Sequence, residues 1–576
     1  MANPDSAINR KRLVGYFPAG ASKLNYSVAD IPADRLTHVI YAFAGISTTG
    51  ECVSDSLADD RVNFPELLKL KQQHPHLKTL ISIGGASSAA RYTSATITPA
   101  GIQKLAQSCV QYMKDNGFGG IDIDWEFPTA GQKQTYSALL VELRRQLDAQ
   151  GNTDNQGYLL TIAAPAGPSN YDNIDLAHIH AQLDWINLET YDFTVISSKT
   201  TNFVAPLFPA KDDPAPPESR ATHNVDAAVK AYLAAGVPAD KVVVGVRFIG
   251  NGWQGIPNIN NGLYQSNTGP AKGTWDKAGS APSGSFFYQD VEDNYIGNYS
   301  QFWKPDAKVP WLYKPATGIM ISYEDPRSAG DKAEYVVANN LGGVMVWELA
   351  ADDQQHSLVD TIAVKFARME SEPPNFLPRR LASQAESIVN NLEQTDYQHN
   401  EDIDVNNGIY DCDCNGFVGF VLKGVAPEHY AMVPKEPSQT RPRAFEYYSF
   451  FAGINPQSPA GWRLVDFLQD ARRGDIIAWR FPEILPAHDT GHVLVVAETP
   501  RVLEFGVFAI RVYDSADAPH FDDTRGDGQG QFPSGVGSGF INFQVNVAGA
   551  PTAFQFGPAD LTFHTFPIAI GRLEPL

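Results

Sequence analysis

Short apolar runs rich in β-branched residues recur eight times along the first two thirds of the chain, at 13–17, 36–44, 78–85, 120–126, 159–165, 185–192, 241–250 and 343–349. Between them lie stretches with apolar residues at helical spacing, such as 134–147 and 225–233. Strands that alternate with helices need crossover connections and build a parallel sheet covered by helices. Eight such units predict an α/β chain whose first domain, 1–368, is a (β/α)8 TIM barrel. One segment is surplus to a minimal barrel, from about 253 to 316, rich in Gly, Asn, Tyr and Phe. It falls between the seventh and eighth strands and is read as a small α+β insertion.

The fourth run carries acids on alternate residues: Asp122, Asp124 and Glu126. Strand side chains repeat every second residue, so the three share a face, while Ile121, Ile123, Trp125 and Phe127 make the other face apolar. Carboxylates crowded on one face repel one another and resist burial, which a strand kept for packing alone has no reason to carry. In a barrel, catalytic groups sit at the C-terminal ends of strands. Glu126, Tyr191 with Asp192, Trp347 with Glu348, the Ser82–Gly85 segment, Tyr16 and Phe43 all fall at such ends.

Gly-Gly-Ile followed by Asp-x-Asp-x-Glu and Phe-Pro resembles the signature of glycoside hydrolase family 18, the chitinases, with Gly119 where that family's longer pattern begins with Asp. The resemblance implies retaining cleavage of β-1,4-linked N-acetylglucosamine polymers, chitin or chito-oligosaccharides, with the substrate's own acetamido group as nucleophile. It implies Glu126 as general acid and then base, Asp124 on the acetamido N–H, and Asp122 sharing a proton with Asp124. Tyr191 would bind the acetamido oxygen and Asp192 the nearby hydroxyls. Trp347 would floor the sugar, with Tyr16 and Phe43 lining the same pocket. No cofactor or metal is implied. The chain departs from the family at Glu189, where methionine is usual, at Arg247-Phe-Ile-Gly-Asn251, and at Ala86. Glu189 lies two residues before Tyr191 and is read as a substrate-binding residue paired with Arg247 across neighbouring strands.

Residues 369–380 hold three prolines with mixed charge and are read as a linker, followed by a helix from 381 to about 394. Further on, Cys414 ends a loop and opens an apolar helix, a position whose dipole favours a thiolate. His492 starts a later strand and Asp514 closes the next. The order of nucleophile, base and orienter is that of papain-like enzymes. Asp413-Cys-Asn-Gly-Phe-Val418, then Gly-Asp-Ile-Ile and Gly-His-Val, resemble the motifs of NlpC-type cell-wall endopeptidases, with Asn415 for the usual Ser. The resemblance implies a papain-like α+β domain over 381–576, with Cys414 as nucleophile, His492 as base and Asp514 as orienter. His488 is the rival base. A metal site at Cys412 and Cys414, or an inactive module that only binds, are the alternatives.

A formal charge of −21 disfavours nucleic acid and anionic membranes as partners, since both need basic surface. Four cysteines in 576 residues do not make a disulfide scaffold. The first twelve residues lack an apolar signal core, so an extracellular role requires non-classical export, delivery to a target cell through a secretion system or toxin complex, or a signal already removed. Three functions stay open: a chitinase with an accessory module, a bifunctional enzyme that degrades peptidoglycan, and a chitinase-like carbohydrate-binding protein of weak activity.

Overall fold

The computed structural model describes residues 11–370, 376–455, 461–482, 490–504, 506–525, 534–560 and 562–576. The chain forms two compact units, Met1–Ser371 and Glu372–Leu576. Among the described residues, no helix is long and apolar enough to cross a membrane.

In the first unit, eight parallel strands close on themselves: Arg12–Pro18, His38–Ile46, Lys78–Gly84, Gly120–Asp124, Leu159–Pro165, Trp185–Glu189, Val242–Arg247 and Gly343–Trp347. Closure is made by the first strand, which pairs with both the second and the eighth, Arg12 lying opposite Gly343 and Val14 opposite His38. Side chains alternate across the wall. Val14, Tyr16, Ile40, Ala42, Leu80, Val243 and Met345 fill the barrel interior. Leu13, Phe17, Val39, Tyr41 and Ile81 pack outward with the helices. Trp125, just past the fourth strand, turns outward and stacks on Tyr92 with ring centroids 4.7 Å apart.

Several expected boundaries shift. The seventh barrel strand stops at Arg247, and a new strand, Ile249–Gln254, begins an antiparallel sheet with Ser300–Lys304, Val309–Lys314 and Ile319–Ser322. The additional sheet therefore starts at 249, not 253, and reaches 322, because Ile249 and Gly250 belong to the antiparallel sheet and only read as a strand tail in sequence. The helix after the barrel runs Ser357–Glu370, and the next is Leu377–Asn390, with Pro378 in its first turn. Most of the expected linker at 369–380 is therefore helix or, at 371–375, outside the described residues. Proline is accommodated in a first turn because its missing N–H has no intrahelical partner there.

The second unit packs helices Leu377–Asn390, Cys414–Val425 and Ala444–Ala452 on a largely antiparallel sheet. Alternation again sets the layers. Ile476, Ala478, Val493 and Val495 face the helices, while Ile477, Trp479, Leu494 and Val496 form a second core on the other face.

Candidate active sites

Asp122 is fully buried, and its register explains how it is held. Ser82 lies beside it on the third strand and Thr161 beside it on the fifth. Ser82 Oγ donates to Asp122 Oδ2 at 2.7 Å, Tyr16 Oη to the same oxygen at 2.9 Å, and Thr161 Oγ1 to Oδ1 at 2.6 Å. Asn187 Nδ2 adds a longer bond to Oδ1 at 3.3 Å. Burial pushes the Asp122 carboxyl up, against these donors, which favour the charged form.

Asp124 closes the fourth strand and is 3% exposed. Among the described residues, no donor meets its buried Oδ1. Burial, then the Glu126 and Asp122 carboxylates, hold Asp124 well above the usual carboxylate range. Its main chain is packed as tightly. Gly85 N donates to the Asp124 carbonyl at 3.0 Å, and a side chain at Gly84, where φ is 124°, would run into that carbonyl.

Glu126 lies two residues beyond the strand, half-buried, its carboxyl raised by burial and by Asp192. Glu189 ends the sixth strand and is also half-buried. It is raised well above its ordinary range by burial and then by Asp124, Glu126, Asp192 and Asp122. Tyr191 follows, its hydroxyl raised by burial and by Glu189 and Asp124. Three aromatic rings from three strand ends meet beside these acids: Trp347 stands 5.4 Å from Tyr16 and 5.9 Å from Phe43, stacked on the latter. Cis peptide bonds occur at Ala42–Phe43, Glu126–Phe127 and Trp347–Glu348.

The expected Glu189–Arg247 pair does not form. Arg247 Nη1 donates to Asp192 Oδ1 at 2.8 Å and to Asn251 Oδ1 at 2.9 Å. Asp192 adopts a left-handed φ of 55°, which turns the chain back toward the end of the seventh strand and brings its carboxylate within reach of Arg247. The parts that sequence reading missed are Thr161, Asn187 and Asn251, and the role of Ser82 as a donor. Only the inward alternation on the fifth and sixth strands could have marked the first two.

In the second unit, Cys414 is the first residue of its helix and is buried. Asp413 caps the helix by accepting from Gly416 N at 2.8 Å and also meets Arg441 Nη2 at 3.0 Å. Burial pushes the neighbouring Cys412 thiol up to about 12. His492 is the second residue of the strand Gly491–Val496, and its Nε2 lies 2.6 Å from Asp514 Oδ2. Cys414 shares a buried cluster with Val493 and Tyr513, the neighbours in sequence of His492 and Asp514. A second imidazole, unforeseen in the sequence, joins them: His520 Nε2 lies 2.9 Å from Asp514 Oδ2. The rival base His488 lies outside the described residues.

A closed parallel barrel with acids gathered at its strand ends is the architecture of a large class of hydrolases. The sequence profile of the glycosyl hydrolases family 18 matches residues 12–352, and the chain belongs to that family. Chitinase A1 of Niallia circulans is 36% identical over 406 residues, covering 60% of this chain and 57% of that relative. Chitinase B of Serratia marcescens is 34% identical over 418 residues, covering 61% of this chain and 83% of the relative. The Group IV chitinase of Ostrinia furnacalis, solved with allosamidin, superposes with a TM-score of 0.57 at 29% identity over 62% of this chain and 99% of its own. The chain thus spans little more than half of the first relative and most of the second. The profile match lies wholly within the first unit.

Proposed function

We propose that the barrel is a retaining glycosidase that cleaves β-1,4 bonds in polymers of N-acetylglucosamine, chitin first among them. The observation that carries the reading is the contrast between Asp122, held by four donors, and Asp124, whose buried Oδ1 meets none. Asp122 is fixed in place, while Asp124 has an oxygen left to take a substrate N–H. Glu126 is half-buried, and burial with the Asp192 charge shifts its carboxyl upward, the direction that favours a general acid. In this family the acetamido oxygen of the sugar itself attacks, so the protein supplies one acid and a group to orient the acetamide. Asp124 would take the second part, with Tyr191 on the acetamido oxygen and the Trp347 ring under the sugar.

A second activity is favoured by one contact, His492 Nε2 to Asp514 Oδ2 at 2.6 Å. Cys414 at a helix start, His492 and Asp514 would form the nucleophile, base and orienter of a cysteine amidase or peptidase. Sugar and amide cleavage in one chain would suit peptidoglycan, and export or delivery to a target cell would give access to it.

Digestion of chitotetraose and of purified peptidoglycan by wild type, Glu126→Gln and Cys414→Ala, with products weighed by mass spectrometry, tests both readings. Glu126→Gln should cost roughly 10²–10⁴-fold in sugar cleavage. Amide products from peptidoglycan should vanish in Cys414→Ala. Intact chitotetraose with wild type would refute the first reading, and amide products undiminished in Cys414→Ala the second.

A further inference from the structure

Glu189 adds a third carboxylate to the catalytic pair, and the three have a geometry that proton transfer to a sugar does not require. One oxygen from each of Asp124, Glu126 and Glu189 lies within 4.8 Å of the other two. Hard divalent cations hold carboxylate oxygens at about 2.0–2.6 Å, so two ligands of a single ion lie at most about 4–5 Å apart. One ion between the three side chains can therefore touch all of them.

A separate observation points to a ligand. Asp124 Oδ1 is buried without a donor, in a side chain only 3% exposed. An orphaned buried carboxylate oxygen is costly, and a bound cation would satisfy it. The charges that act most on Glu189 are acidic: Asp124, Glu126, Asp192 and Asp122. The guanidinium on the adjoining strand, Arg247, is turned to Asp192 and Asn251 instead. Glu126 and Glu189 are half-buried, so neither carboxylate is sealed from solvent.

We infer that Asp124, Glu126 and Glu189 form a binding site for one hard divalent cation of the manganese or calcium type at the strand ends of the barrel. Carboxylate oxygens suit hard ions of this type. An ion there occupies the carboxylates that the sugar needs, so it acts as a competitive inhibitor. That consequence rests on the proposed glycosidase activity; the binding does not.

Manganese is the probe, because its free-ion EPR signal disappears on binding. Full-length wild type, Glu126→Gln, Glu189→Gln and Glu189→Met are titrated with Mn²⁺ at one pH. Glutamine and methionine each remove a repelling charge, and near-UV circular dichroism checks that the variants are folded. Wild type is expected to take up one equivalent more than every variant. Equal uptake by all four proteins, or no saturable uptake by wild type, overturns the site and leaves shared protons as the link between the acids. Chitotetraose cleavage by wild type is followed in parallel. Uptake lost in the variants with no cleavage keeps the site and refutes the glycosidase; cleavage with equal uptake refutes the site alone. A rise in KM of at least tenfold at saturating Mn²⁺, with kcat constant, is expected, and an unchanged KM would overturn the competition.

Discussion

Arg247 is bound to Asp192, not to the glutamate that ends its neighbouring strand. The Arg247 side chain is 13% exposed and that of Asp192 43%, so the pair is partly open to solvent beside the acids at the strand ends. Such a pair contributes only about 0–1 kcal/mol to stability, and its effect should fall on substrate. Arg247→Met is expected to lower kcat/KM on chitotetraose about tenfold, equivalent to about 1.4 kcal/mol, while Tm stays within a few degrees. The double exchange Glu189→Arg with Arg247→Glu should not restore activity, and recovery in that variant would contradict the observed pairing.

The donors around Asp122 supply a stability test. Removing one donor takes a hydrogen bond from a buried carboxylate, at a cost of about 1–3 kcal/mol. Ser82→Ala, Thr161→Val and Tyr16→Phe should each lower the unfolding free energy by that order, read from urea denaturation. Because all three act on one carboxylate, their effects should not add. Additive losses in the double variants would show that they act independently.

Glu348 gives stability a pH dependence of definite sign. Burial raises its carboxyl to about 7, against the opposing charge of Arg247. The folded chain then keeps a proton that the unfolded chain sheds near its ordinary value of 4.5. The contribution is complete below that value and disappears as pH rises through about 7. Stability should fall across this window by up to about 1.4 kcal/mol per pH unit from this group. Urea midpoints measured at intervals from pH 5 to 8 should show a flatter slope in Glu348→Gln than in wild type; parallel slopes would rule the residue out.

Asp514 behaves in the opposite sense. Burial pushes its carboxyl up, but His520 and His492 outweigh this and hold it well below the usual range. Its contribution is present above the unfolded value of 3.8 and is lost as pH falls below it. His520→Ala, which removes one of the two imidazoles, should therefore make the second unit unfold at a higher pH on acid titration, read by tryptophan fluorescence. An unaltered acid midpoint would mean that His520 does not help to hold the carboxylate down.

The closed barrel and its row of acids were legible in sequence because both follow from strand periodicity. Asp122 and Asp124 could be placed on one face without knowing the partners of either. The bonds from Thr161 and Asn187 were not legible, since they depend on register across neighbouring strands, and Thr and Asn are unremarkable in a strand. Arg247 was assigned the wrong acid for a related reason. Strand adjacency suggested Glu189, but the left-handed turn at Asp192 presents a different carboxylate, and no residue type at that position signals such a turn strongly. In the second unit, the order of Cys414, His492 and Asp514 stands out as a motif. His520 lies in an irregular stretch of the chain and reaches Asp514 only through the tertiary fold.

Tyr16 stands on the first barrel strand and Trp347 on the eighth, yet their rings lie 5.4 Å apart beside the acids. These strands become neighbours only when the circle of strands is joined. Loop-closure entropy must be met before so distant a contact can form, which makes joining a late event in folding. The fourth strand can place Asp122 and Asp124 before then, but Tyr16 cannot meet both Asp122 and Trp347 until the ends of the barrel come together. Competence for chemistry thus reports completion of the ring, and a nascent chain halted before residue 343 would carry its acids with Tyr16 and Phe43 but without Trp347 to join them.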